Sequence, residues 1–335
     1  MSRGIMAGRA SNKMPSSAPV AGIWRLRGPH AAPISPLHRG AKPAARRACG
    51  AAPWKMLFYG QPRFPPAIAT DPGRRAGTRM TSPRRSKPWL RWPAAVLGVV
   101  LLLLMGPFGV LAFGDIDLKT PWYQADRDST GQAPDPALVR EAVVQVYGAR
   151  TVRWRGAFGI HPWIAVKRAD ADSYTVYQKI GWRAYRGNDA VVASQTRNPD
   201  ARWFGAAPQL LAEHRGADAQ AMIEHIEAAV AQYPWGMTYR LWPGPNSNTF
   251  VAFVARQVPE LGLDLPPTAI GKDYLGPTTI FANAPSGSGW QVSLAGLAGV
   301  TVAREEGLEI NLLGLGFGVD VNDARLRLPG FGTWP

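Results

Sequence analysis

Between Trp92 and Gly114 the chain carries no charged residue, and the centre of this run reads Val-Leu-Gly-Val-Val-Leu-Leu-Leu-Leu-Met. As a helix, 23 residues at ~1.5 Å each would span ~34 Å, enough to cross a hydrocarbon core of ~30 Å. Pro107 and Gly109 fall near its end, where a membrane helix tolerates a kink. Arg84, Arg85, Lys87 and Arg91 precede the run, whereas Asp115 and Asp117 follow it. The positive-inside bias then places the N-terminus in the cytoplasm and everything after the run on the exported side of the inner membrane, as a single-pass protein. A cleaved signal peptide, with Val110 and Ala112 at the −3 and −1 positions, is the competing reading. Both export the C-terminal part.

The formal charge of +15 is concentrated ahead of this segment: residues 1–93 hold 18 of the 38 Lys and Arg and a single acid, Asp71. The remainder is close to neutral, so the high isoelectric point does not make the main domain a nucleic-acid binder, and no stripe of basic and stacking aromatic residues is present. Residues 1–79, rich in Arg, Pro, Ala, Gly and Ser, lack a hydrophobic period and read as a disordered basic arm. Met80 opens a compact basic n-region, 80–92, directly before the apolar segment 93–114. This reads as a true start, with residues 1–79 an over-extension; a transit peptide is the alternative. The chain's one cysteine, Cys49, lies in the arm. This excludes an intrachain disulfide, a Cys-ligated zinc and a Cys nucleophile downstream. The five histidines show no ligand-pair spacing, and no metal or cofactor is expected.

After a polar linker, 115–134, the expected organisation is a mixed core over 135–285 and a β-rich extension over 286–335. Asp135-Pro136 followed by Leu138, Val139, Ala142, Val143 and Val146 at helical spacing predicts a helix over Ala137–Tyr147. Strands are predicted at Val152–Gly156, His161–Arg168 and Ser173–Trp182, helices at Gln209–Arg215 and Asp218–Gln232, and a helix from the Asn246-Ser247-Asn248 segment. Further strands are predicted at Trp290–Leu294, Gly299–Ala303, Leu308–Val319 and Arg325–Leu328. Within the third of these, Gly314, Gly316 and Gly318 alternate with Leu315, Phe317 and Val319. One face of that strand is bare, which suits close packing against another backbone.

The segment most informative about chemistry is Pro243-Gly-Pro-Asn-Ser-Asn-Thr-Phe. It places Ser247 where a helix begins, among free N–H groups and the positive end of the dipole, so a nucleophile or oxyanion there would be stabilised. Ser and Asn are equally the favoured capping residues. His161, at the head of a strand, is the candidate base, and Gln178 on the following strand is the candidate group to orient its ring. Asn246, Asn248, Trp163, Lys272 and Asp273 are candidate binding residues.

Phe158-Gly-Ile-His-Pro-Trp-Ile-Ala-Val-Lys, Gly181-Trp, Arg202-Trp-Phe-Gly, the octapeptide at Pro243 and Gly271-Lys-Asp-Tyr together resemble the bacterial family catalogued as domain of unknown function 3750. The likeness runs from about Arg150 to Tyr274. That family has no established activity, so the resemblance implies a domain and no function. More distantly, a His on a strand followed by a polar helix N-terminus resembles circularly permuted papain-like proteins of the lecithin–retinol acyltransferase and NlpC type. His161 matches their His and Ser247 stands in their Cys position. The resemblance implies an α+β fold with a permuted papain-like core of helices on an antiparallel sheet, preceded here by one transmembrane helix. Two functions stay open. One is a membrane-anchored envelope hydrolase acting on amide or ester bonds, in peptidoglycan or lipid, with Ser247 as nucleophile and His161 as base. The other is a non-catalytic binding or scaffold module on the same fold.

Overall fold

A computed structural model describes residues 91–334 of the chain; the basic arm and most of the n-region lie outside the described residues. The described part is a mixed α+β structure with two antiparallel sheets.

The apolar run forms α1, Arg91–Phe113. It is long and apolar enough to cross a membrane. Val96, Leu97, Leu101, Leu102, Met105 and Phe108 are exposed, whereas Leu103, Gly106, Pro107 and Val110 are buried. These four recur at helical spacing on one side and meet the chain's last segment. A Cβ on Gly106 would come within 2.0 Å of the Pro329 carbonyl oxygen, and one on Gly330 within 2.6 Å of the Pro107 nitrogen. Only glycine permits this approach.

The first sheet comprises β1 (Val143–Arg150), β2 (Ile160–Lys167), β3 (Tyr174–Lys179), β4 (Val191–Thr196) and β5 (Gln209–Arg215), in the order β4-β3-β2-β1-β5. Two predicted elements change here. The helix expected over Ala137–Tyr147 is a turn followed by β1. Asp135 caps only that turn, its Oδ1 accepting the Ala137 amide at 2.9 Å. Because β1 is buried on both faces, its valines show no alternation, and a continuous apolar run mimics helical spacing. The helix expected over Gln209–Arg215 is β5, an edge strand that pairs with β1 and satisfies backbone groups that a helix there would leave bare. A third change is local: Arg153–Ala157 forms a 3-10 turn where a strand was expected.

α2 (Gly181–Ala184) follows β3, and α3 (Gly216–Ala231) and α4 (Ser247–Gln257) cover one face of the sheet. As the spacing predicted, α3 buries Met222, Ile223 and Ile226. With Phe250, Val251 and Val254 of α4 they meet Val144, Val146, Ile164 and Val166 in the main core. The other face carries a smaller cluster of Val143, Tyr147, Trp163, Ala165, Tyr174 and Val176. Val139 and Trp203 pack on this cluster, and the linker joins its rim where Tyr174 donates to the Pro134 carbonyl at 2.9 Å. Asp200 pins that strap by accepting from the Ser129 hydroxyl at 2.8 Å and the Gln132 amide at 2.7 Å.

The second sheet is a seven-stranded meander: β6 (Phe281–Asn283), β7 (Gly289–Leu294), β8 (Ala298–Ala303), β9 (Gly307–Leu312), β10 (Leu315–Asp320), β11 (Arg325–Leu328) and β12 (Gly332–Trp334). The single strand expected over Leu308–Val319 is the β9–β10 hairpin. Leu313 and Gly314 turn it with φ of 55° and 85°, the left-handed pair of a two-residue hairpin loop. The bare glycine face is turned inward: a Cβ on Gly316 would meet Pro267 at 3.2 Å, and one on Gly314 would meet Ile270 and Trp242 at 3.0 Å.

Candidate functional site

β2 opens the site. Period two sends Ile160, Ile164 and Val166 into the helix-side core and His161, Trp163 and Ala165 to the opposite face. His161 is 4 % exposed. Its ring stacks on Trp203 with centroids 3.8 Å apart and planes 9° from parallel, and Trp203 stacks in turn on Trp182. His161 Nε2 lies 3.1 Å from Gln178 Oε1. Because that oxygen can only accept, Nε2 carries the proton. Burial pushes the imidazole down to about 4, against a smaller upward pull from Gln178. The ring is therefore neutral at physiological pH. Trp163 is spent on structure: its indole N–H donates to the Pro199 carbonyl at 2.8 Å.

α4 approaches the same end of the sheet from the other side. Its N-cap is Asn246, whose side chain accepts from the Thr249 amide at 3.1 Å while Thr249 Oγ1 accepts from the Asn246 amide at 3.1 Å. This reciprocal pair is a capping box. Asn246 Nδ2 donates to the Leu241 and Ile270 carbonyls at 3.0 and 2.8 Å. A side chain at Gly271, where φ is +100°, would strike it at 2.4 Å. Asn248 Nδ2 donates to the carbonyls of Ile160 and Ile270 at 3.2 and 2.8 Å. The two asparagines thus stitch the helix start to β2 and to the 270–271 turn.

Ser247 lies between them, buried, beside the Tyr239 phenol. Burial raises the phenol's pKa, and the polar groups of Ser247 oppose that rise. No hydrogen bond joins Ser247 to His161; the imidazole is bonded to Gln178, and the His161 ring leaves β2 on the face away from α4. Of the expected triad the structure brings together His161 and Gln178.

Lys272 and Asp273 are buried beneath the second sheet. Lys272 Nζ pairs with Glu309 Oε1 at 2.7 Å, and Asp273 accepts from Gln291. Burial would lift the Glu309 carboxyl, but the charges of Lys272 and Arg327 outweigh it and hold its pKa low. Burial raises that of Asp273.

Two residues absent from the sequence reading belong to this end of the sheet: Tyr239 and Lys179. Lys179 is fully buried on the helix side. It donates to the Tyr233 hydroxyl and the Trp235 carbonyl, both at 3.0 Å, with Nζ 5.7 Å from the Tyr239 ring centroid. Burial pushes its ammonium down to about 7, opposed by Asp189. The available signal was a lysine ending a strand two residues after buried Tyr177.

A cleft of about 410 Å³ opens elsewhere, lined by Arg150, Arg153, Arg202, Asp117, Thr268 and Phe331 among others, and none of the expected site residues lines it. Among the described residues, no three His, Cys, Asp or Glu are grouped to hold a metal ion.

No curated protein and no solved structure matches the chain. Residues 141–274 match the family model described as "Protein of unknown function (DUF3750)". The match takes in the first sheet together with α3 and α4 and ends, as the motifs implied, at Tyr274. Over that segment the chain is similar to this uncharacterised family.

Proposed function

We propose that the chain is a membrane-anchored cell-envelope module that binds or scaffolds and does not hydrolyse. The observation that carries this reading is the separate commitment of the two expected catalytic groups. Ser247 is buried in the capped start of α4, while His161 is stacked on Trp203 and bonded to Gln178 on the other face of β2. A serine hydroxyl needs a base within hydrogen-bond reach, roughly 2.6–3.2 Å, to act as a nucleophile. The order of His-bearing strand and polar helix start supports descent from a permuted papain-like fold whose Cys position became structural. The basic residues before α1 and the acids after it support an exported C-terminal domain.

The test is a serine-directed fluorophosphonate probe applied to the full chain in detergent, alongside complementation of a chromosomal deletion. We expect no Ser247-dependent labelling, and full complementation by Ser247→Ala. Labelling of the wild type that disappears in both Ser247→Ala and His161→Ala would overturn the proposal in favour of the hydrolase.

A further inference from the structure

The second sheet is built inside out. Its strands alternate, but the polar side chains are the buried ones: Gln291, Ser293, Thr301, Glu309, Asn311 and Arg327 face the core. The side chains that point away are apolar. The strand registers align them in rows, one of which runs Trp290, Val302, Leu308, Val319, Leu326, Trp334 across six strands. The next runs Val292, Val300, Ile310, Phe317. Six strands at ~4.8 Å make this face ~24 Å wide. No charged side chain interrupts these rows, and all six members of the first are exposed. An antiparallel sheet with one solvated face presents polar residues there, so a continuous apolar face signals an apolar neighbour.

We infer that this face rests on the lipid bilayer, in the leaflet where α1 ends. The inference depends on α1 being a membrane span. The helix and the sheet are joined directly: α1 packs through Gly106 and Pro107 on Pro329 and Gly330, in the turn between β11 and β12. Gly106 lies seven residues before the helix end at Phe113, which at ~1.5 Å per residue is ~10 Å inside it. A spanning α1 therefore holds that turn at hydrocarbon depth, within the ~5–10 Å to which interfacial structures sink. Every strand except the two edges is paired on both sides, so the lipid meets side chains and not bare backbone. Trp290 and Trp334 close the two ends of the first row, and tryptophan is enriched where protein crosses from hydrocarbon to headgroups.

The experiment uses the full chain carrying Cys49→Ala, with single nitroxide labels at Val302→Cys, Ile310→Cys, Leu101→Cys on α1 and Glu224→Cys on α3. The protein is reconstituted in vesicles of phosphatidylethanolamine and phosphatidylglycerol, and accessibility to oxygen is compared with accessibility to a water-soluble nickel chelate. The expected result is an oxygen-to-nickel ratio at Val302 and Ile310 several-fold above that at Glu224 and close to that at Leu101. A Glu224-like ratio at Val302 and Ile310, with Leu101 in lipid, overturns the seating while leaving the anchor intact. A water-exposed Leu101 removes the anchor and the depth argument together. Spin–spin broadening at Val302, with both reagents excluded, overturns the inference in favour of a second copy covering the face.

Discussion

The two sheets of this protein solve opposite problems. β1 and β2 are buried along nearly their whole length on both faces, by helices on one side and by the linker, Val139 and the Trp203 segment on the other. Their stability comes from apolar area removed from water inside the molecule. The second sheet turns its polar face inward, where Arg327 bridges Glu309 at 2.7 Å and Asp264 at 2.6 and 2.8 Å, and Lys272 completes the cluster. Its apolar face is left outward. The contrast teaches that alternation alone does not make a sheet soluble; what matters is which face the rest of the chain covers.

The sharpest way to break this contrast is at Arg327. Arg327→Met strips Glu309 and Asp264 of their shared partner, and removing one member of a buried ion pair costs about 3–5 kcal/mol. Urea unfolding should show that loss, and hydrogen exchange should place it in β9–β11 ahead of β1–β3. An unchanged midpoint would mean that the cluster does not hold the second sheet.

One substitution made on both sheets sharpens the comparison further. Ile164 is 0 % exposed in the first sheet and Ile310 is 38 % exposed on the outward face of the second. Ile164→Ala should cost about 2–5 kcal/mol through lost burial and cavity formation. Ile310→Ala in lipid-free detergent solution should stay within about 0.5 kcal/mol, as for ordinary exposed positions. Equal losses would mean that the outward face is covered within the molecule.

Acid supplies the third test. His161 titrates near 4 in the fold against an ordinary 6.5, so the unfolded chain binds the proton more readily. Its contribution is intact above pH 6.5 and is lost as pH falls towards 4, by about 3 kcal/mol at ~1.36 kcal/mol per unit. Urea midpoints measured between pH 7 and 4 should fall, and His161→Gln should flatten that slope. Lys179, held near 7, acts in the same direction at higher pH: stability should rise between about pH 7 and 10.5 as the unfolded chain loses its extra proton. The smallest effect is at the helix start. Asn246→Ala removes the cap of α4 and should cost about 0.5–2 kcal/mol, read as a lowered melting temperature.

The site was legible in part. That α4 begins at Ser247 with Asn246 as its cap, and that Gln178 reaches His161, followed from turn chemistry and strand adjacency, both of which are local. The pairing of His161 with Ser247 did not follow. Period two states that His161, Trp163 and Ala165 share a face, but it is silent on which face meets α4. Nothing near Tyr239 in sequence marks it as a neighbour of Ser247. β1 and β5 depart from their local pattern for a related reason. A strand buried on both faces has no alternation to display, and an edge strand is held by backbone groups of a distant segment.

By itself, the sequence determined the apolar span, β2, β3, α3, the start of α4 and the β-rich character of the C-terminal region. Each of these is written in composition, capping or periodicity within about a dozen residues. Tertiary structure alone decided that β1 is a strand, that the histidine and the serine look away from one another, and that the second sheet shows its apolar side to the outside. The physical reason is the same in all three cases. Local pattern divides side chains into two faces, and only long-range packing decides which of those faces becomes the interior.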